Sequence, residues 1–254
     1  MQRIDAPEIL DFDACSLADV EISMQDIGRV NRWFGGVDTT QKMVERVARV
    51  RRLNRLSMLE VAAGSGEVAG IVRRRLARRG IVLDLTLLDR APSHLLASRG
   101  VRDDARKNRG PRERPDEDRV GETLAVVADA LALPFGDGVF DLVSCNLFAH
   151  HLGEERLAGF VREALRVSRQ AVLINDLIRH PLHLALAFAG FPIMRSRIAW
   201  LDGLTSVRRA YVPEEIRSMF TSAFSASLSP TGVELEITRH YLFRMGVIAW
   251  KQPA

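Results

Sequence analysis

The sequence predicts an α/β protein: a Rossmann-like, doubly wound seven-stranded sheet with one antiparallel edge strand, flanked by helical cap segments. Three observations lead there. Short runs apolar throughout alternate with amphipathic helical stretches, as strands covered by helices on both faces require. The first such run passes through small residues into a helix, Met58-Leu59-Glu60-Val61-Ala62-Ala63-Gly64-Ser65-Gly66-Glu67. The last two runs, Val233 to Tyr241 and Leu242 to Trp250, stand almost back to back, which leaves space only for an antiparallel hairpin.

The elements follow in order. Leu56 to Ala62 and Ile81 to Leu88 read as the first two strands. Between them, Gly66 to Arg79 reads as a helix with Val68, Ile71, Val72 and Leu76 inward, its arginines largely on the other side, and Gly80 as its stop. Further strands are expected at Thr123 to Ala128, Phe140 to Asn146 and Ala171 to Asn175. The clearest helix, Gly153 to Ser168, places Leu157, Phe160, Val161, Ala164 and Leu165 at i, i+3, i+4, i+7 and i+8. Right-handed crossovers between these strands give the doubly wound sheet.

A length of 254 residues suits one domain, 1–254. Residues 1–45 are expected as an N-terminal helical cap, with Lys42 to Leu53 a helix burying Met43, Val47 and Val50. Residues 177–212 are expected as a second cap inserted after the fifth strand. Arg99 to Gly121, rich in Pro, Gly and mixed charge, has almost nothing to bury and reads as a surface loop.

Composition narrows the function. The two cysteines, Cys15 and Cys145, cannot build a disulfide framework, and the acidic first stretch does not resemble a secretory signal, so a cytoplasmic protein is expected. The longest apolar window, between Arg179 and Arg195, has 15 residues against the roughly 20 of a spanning helix, so stable membrane insertion is not expected. Of 36 basic residues, 33 are arginine, but they are scattered and interleaved with acids. That pattern reads as solvated helix faces, and no nucleic-acid partner is expected. A monomer or homodimer acting on a hydrophobic small molecule fits best.

The chemistry gathers at the strand tips. Gly64 and Gly66 let backbone amides approach a ligand, and the helix start behind them favours a carboxylate. A dinucleotide loop uses the same turn, but the third glycine of its pattern is missing here, with Ala69 near its place. Glu60 would also repel a pyrophosphate, whereas it would attract an ammonium group.

With these residues in view, the chain resembles the class I S-adenosylmethionine-dependent methyltransferases, in particular the quinone-biosynthesis (ubiquinone and menaquinone) type, over roughly Leu56 to Ser168. The family usually has glycine where this chain has Ala62. Asp89, 25 residues after Gly64, stands near the place of an acid that binds ribose hydroxyls. The resemblance implies that Asp129 takes the adenine amino group and that Ala130 adds a backbone contact. Arg90 and Asn146, at neighbouring strand ends, are grouped with them as cofactor-binding residues.

The methyl acceptor is expected where the fourth strand leaves the sheet, at Leu147-Phe148-Ala149-His150-His151-Leu152. The tetrapeptide that amino-group methyltransferases often carry here is absent, which favours oxygen or carbon acceptors. Transfer also needs loss of an acceptor proton, a task suited to histidine; His150 ranks first and His151 second, with packing at a helix start as the alternative. No metal is expected, because adjacent residues rarely point at one ion and no Cys, Asp or Glu follows at ligand spacing.

Around this centre, Arg32 or Asn31 could reach the methionine carboxylate, with Trp33 and Phe34 as a shield. Leu182, Leu186, Phe188 and Phe191 could line an apolar pocket with Arg179 or His180 at its polar end, although a dimer interface would show the same residues. The leading expectation is O-methylation of a phenol, polyketide or quinone precursor, with C-methylation of a similar ring next. An RNA or protein methyltransferase, or a non-catalytic partner with the same fold, are the further alternatives.

Overall fold

The computed structural model describes residues 1–12, 15–95, 123–225 and 233–252. Its sheet has seven strands: β1 (Arg55–Val61), β2 (Val82–Asp89), β3 (Thr123–Val127), β4 (Phe140–Asn146), β5 (Ser168–Leu177), β6 (Glu234–His240) and β7 (Arg244–Trp250). They lie in the order β3-β2-β1-β4-β5-β7-β6. The first five are parallel, and β7 runs antiparallel to both β5 and β6. The expected hairpin therefore forms, but the reversed strand lies one place in from the edge, because β7 and not β6 pairs with β5. The order reverses between β1 and β4, and in such sheets a ligand crevice opens beyond the strand ends at that point.

Alternation along each strand builds two cores. Met58, Leu83, Leu85, Leu142, Leu173 and Ile248 face one side, where helices α2 (Gly36–Arg51) and α3 (Glu67–Ala77) cover them with Val44, Val47, Val72 and Leu76. Leu59, Val61, Val143, Cys145, Ile174 and Val247 face the other, under α4 (Glu154–Val167) and α7 (Pro213–Ser225). All five inward positions read from the α4 periodicity are buried. Helix α3 ends as expected, with Gly80 at φ +80° and the amides of Arg79 and Ile81 both bonded to the Leu76 carbonyl.

In α2 the inward stripe is Met43, Val44, Val47 and Ala48, while Val50 is exposed, so the expected inward face is rotated by part of a turn. This helix packs on the sheet, whereas α1 (Leu17–Trp33) and a short 3-10 turn at Ile9–Phe12 lie over the strand tips. The segment after β5 supplies α5 (Pro181–Ala189), a 3-10 turn at Phe191–Ile193, and α6 (Arg197–Arg209). Buried Asp26 of α1 accepts from the amides of Arg195 and Ser196, and Ser23 bonds Ser196 at 2.7 Å, so the two caps are joined. Among the described residues no helix is long and apolar enough to cross a membrane. The expected loop from Arg99 to Gly121 lies outside the described residues.

Candidate functional site

The strand tips, the glycine turn and both caps enclose a cavity of about 1060 Å³. This slightly exceeds the usual range for a single drug-sized ligand, about 300 to 1,000 Å³. At its floor the chain leaves β1 through Ala62, Gly64 and Gly66, all at positive φ (+50°, +54° and +67°). A Cβ on Gly66 would lie 2.4 Å from Leu87 Cδ1, so both conformation and space demand glycine there. Ala62, standing where the resembling family usually has glycine, holds the same left-handed backbone at the cost of local strain.

Glu60 is buried and lines the cavity. Its Oε1 accepts from Asn146 Nδ2 at 2.5 Å. Burial pushes its carboxyl up to about 7, against the opposing hydrogen bonds from Asn146 and Ser144. A buried carboxylate held only by neutral hydrogen-bond donors costs free energy until a cation meets it. Asn146 is itself held by Thr40, which donates to Asn146 Oδ1 at 2.8 Å.

Asp89, at the β2 tip, accepts from the Gly64 amide at 2.8 Å and the Ala91 amide at 2.9 Å, tying the second strand to the glycine turn. Burial alone would raise its pKa, but the hydrogen bonds from His94, Ala91 and Gly64 prevail and lower it. Asp129 lies two residues beyond β3, exposed, and accepts from the Leu131 amide at 2.9 Å, capping its own turn. Ala130 is buried beside it, and Arg90 donates to the Asp11 carbonyl at 3.1 Å. All of these residues line one cavity.

Beyond β4 the backbone passes through Leu147 at φ +53° into a 3-10 turn, Ala149–His151. His150 is 1% exposed, with Nδ1 2.7 Å from Asp176 Oδ1 and Nε2 3.3 Å from Glu8 Oε1. Burial opposes charge on this ring, but Asp176 and Glu8 overcome it and raise its pKa to about 9. His151 is more open, with Nδ1 2.8 Å from Asp11 and Nε2 3.6 Å from Glu8 Oε2. Arg209 donates to both histidine carbonyls and pairs with Asp11, and Phe148 stacks on His151.

Six expected site residues, Arg32, Arg179, His180, Leu182, Phe188 and Phe191, lie outside the cavity lining. Arg32 lies off the cavity-facing side of α1, which presents Met24, Ile27, Gly28 and Asn31, and it pairs with Glu67 at 3.1 Å. Asn31 does face the cavity but is engaged by buried Arg244, whose Nη2 donates to it at 2.6 Å. Arg179 is not at a polar pocket end: its guanidinium is consumed by Glu215, at 3.1 and 2.5 Å, and by the Ala210 and Met1 carbonyls. His180 caps α5 by accepting from the Leu182 amide at 3.1 Å and stacks on Phe243, away from the cavity lining.

Phe188 also turns outward, 65% exposed and packed near Trp200, as do Phe191 and the exposed Leu182; α5 presents Leu186 and Ala187 to the cavity instead. Trp33 and Phe34 are at the cavity wall, both partly open to solvent. The expectation of no metal rests on adjacent histidines and on the residues that follow them in sequence. The fold brings Glu8 to them from the other end of the chain, and one ligand atom each of Glu8, His150 and His151 lie within 4.8 Å of one another.

Sequence reasoning thus missed Glu8, Asp11, Asp176, Arg209 and Arg244. Asp176 alone had a usable signal, since it stands near the end of β5 as Glu60 and Asp89 do on theirs. Glu8 and Asp11 reach the site only through tertiary docking: the Ile9 and Leu10 amides are held by Asp202 at 2.8 and 3.1 Å, and Ser206 donates to Glu8 at 2.8 Å.

Residues 59–174 match a family model described as a methyltransferase domain. No curated protein matches the sequence. Among solved structures, the fold is similar to a SAM-dependent methyltransferase from Aquifex aeolicus, at 12% identity and a TM-score of 0.57, over 92% of this chain and 98% of that one. It is also similar to human N-acetylserotonin methyltransferase in complex with SAM, at 12% identity and 0.61, over 98% of this chain and 60% of that one. A third is the magnesium protoporphyrin IX methyltransferase of Synechocystis PCC 6803 with bound SAH, at 13% and 0.52, over 86% and 84%. At these identities the likeness is one of fold.

Proposed function

We propose that this chain, which has the fold of the class I S-adenosylmethionine-dependent methyltransferases and matches a methyltransferase domain over residues 59–174, moves a methyl group from S-adenosylmethionine to a small, mostly apolar acceptor. The observation that carries this reading is the buried Glu60 carboxyl beside the glycine turn, with Asp89 and Asp129 at the neighbouring strand ends of the same cavity. That spacing of acids suits an ammonium, a ribose and an adenine on one molecule, and the left-handed glycines leave room for it. The cofactor supplies an electrophilic methyl group on a sulfonium sulfur.

The chain's own residues do the rest. Glu60 binds the ammonium, the α3 start favours the carboxylate, and Asp89 orients the ribose while holding the Gly64 amide in place. Leu147, Phe148, Leu186 and Ile193 give the acceptor side an apolar lining that excludes water. Positioning in such a cavity contributes up to about 7 to 11 kcal/mol to a displacement of this kind. The acceptor's proton leaves toward the histidine pair. His151, partly open to the cavity, is better placed to take it than His150, which is fully buried and already held between Asp176 and Glu8.

An oxygen acceptor on a phenol, polyketide or quinone precursor suits this arrangement best, and an activated ring carbon second. The protein names of the similar structures, which include an N-acetylserotonin and a protoporphyrin methyltransferase, support a small-molecule acceptor. The test is a screen of phenolic and quinone-like compounds with isotopically labelled S-adenosylmethionine, read by mass. Labelled methyl on a phenolic oxygen supports the reading; label only on RNA or protein overturns it.

A further inference from the structure

We propose that Glu8, His150 and His151 form a binding site for a divalent first-row transition-metal ion of the zinc or iron(II) type. The inference goes beyond methyl transfer and stands on four separate features of the cluster.

The first is spacing. Glu8 Oε1 is 3.3 Å from His150 Nε2, and Glu8 Oε2 is 3.6 Å from His151 Nε2. Two ligand atoms, each about 2.1 Å from one ion at the tetrahedral angle, stand about 3.4 Å apart. The second is a loose contact: buried His150 Nε2 meets Glu8 at 3.3 Å, but without the alignment of a good hydrogen bond. A metal ion between them would satisfy both.

The third feature lies behind the ligands. Metal-binding histidines characteristically use their other ring nitrogen on a carboxylate, which fixes the ring's orientation and leaves the far nitrogen as the donor. Here both rings are held this way by different residues, His150 Nδ1 by Asp176 at 2.7 Å and His151 Nδ1 by Asp11 at 2.8 Å. Glu8 is fixed as well, through the Ser206 hydroxyl and the docked turn that follows it. The site is built before any ion arrives.

The fourth is charge. The carboxylates of Glu8, Asp11, Asp176 and Asp202 gather around the cluster against two guanidiniums, Arg3 and Arg209, which bond the histidine-turn carbonyls. Four carboxylates against two guanidiniums leave two negative charges; a proton on His150 offsets one of them in the metal-free protein, and a dication that displaces it balances both. Two imidazole nitrogens and one carboxylate select a transition metal over magnesium or calcium, which prefer oxygen ligands. Because all three ligands line the cavity, further coordination positions face the acceptor side. If the methyl-transfer reading holds, the bound ion would act as a Lewis acid that lowers the pKa of an acceptor hydroxyl, whose proton then passes to solvent before the methyl group is transferred.

The test uses full-length, tag-free protein stripped with a chelator and then titrated with Co²⁺, whose visible absorption reports nitrogen and oxygen coordination. Bound metal is counted by elemental analysis after desalting, and far-UV circular dichroism checks the fold of every variant. The expected result is one ion per chain in the wild type. Asp11→Asn, which loosens a supporting contact, should weaken binding by about 10- to 100-fold. Glu8→Gln and His151→Asn should weaken it at least as much, while His180→Asn, on a histidine outside the cavity, leaves it unchanged. Absence of stoichiometric uptake by the wild type, or equal uptake by folded Glu8→Gln and His151→Asn variants, overturns the site. Neither readout requires methyl transfer, so this proposal and the enzymatic one fail separately.

Discussion

Glu60 gives the sharpest handle on the cofactor. Its carboxyl is buried, and burial pushes its pKa up to about 7 in the free protein. A bound ammonium favours the charged form, so its pKa falls on binding and, below about 7, each binding event must expel a proton. The sign follows: affinity is on a plateau above that pH and weakens by about tenfold per unit as pH falls beneath it, each unit being worth about 1.4 kcal/mol. Glu60→Gln keeps the size and the contact with Asn146 but removes the charge. A hydrogen bond to a charged group contributes about 1.5 to 3 kcal/mol, so the substitution should weaken binding about 10- to 100-fold. It should also flatten the pH dependence between about 5.5 and 8. Isothermal titration with S-adenosylhomocysteine across that range reads both effects. Wild-type affinity in the variant, or an unchanged pH slope, would refute the placement of the ammonium at Glu60.

Three other substitutions probe neighbouring parts of the account. Asp89→Ala should reduce cofactor affinity by at least about tenfold and, by stranding the Gly64 and Ala91 amides, cost about 1 to 3 kcal/mol in denaturant unfolding. Ala62→Gly should relieve the left-handed backbone and raise stability by up to about 1 kcal/mol, seen as a rise of about 2 to 4 °C in Tm. Arg179→Met should cost on the order of 1 to 2 kcal/mol, since it takes from the half-exposed Glu215 its two-pronged partner and from the Ala210 carbonyl its donor. Its cofactor affinity and acceptor KM should stay at wild-type values, because Arg179 lies outside the cavity; a raised KM would return it to the site.

The parts of the fold governed by local pattern were legible in the sequence. Apolar runs gave each strand to within a few residues, and the α4 stripe of Leu157, Phe160, Val161, Ala164 and Leu165 is buried as its spacing demanded. The glycine turn with Glu60 and Asp89 could be read because strand ends at a crossover point converge by topology. Placement of β7 inside β6 could not, since a hairpin fixes the pairing of its own strands and not which one meets the rest of the sheet. The cap residues were misread for a similar reason: Arg32, Arg179, His180 and Phe188 share helices or turns with cavity residues, but helix rotation, set by long-range packing, turns them elsewhere. Glu8 is the extreme case, joined to His150 across 142 positions by docking alone.

The central claim is that three strand ends beside one glycine turn hold a single S-adenosyl nucleoside with its sulfur toward the histidine pair. A crystal structure with S-adenosylhomocysteine tests it directly. The account predicts the amino group on Glu60, the ribose hydroxyls on Asp89, the adenine beside Asp129, and the sulfur facing His150 and His151. A nucleoside bound outside this cavity, or lying in it with those three carboxylates uncontacted, would contradict the account.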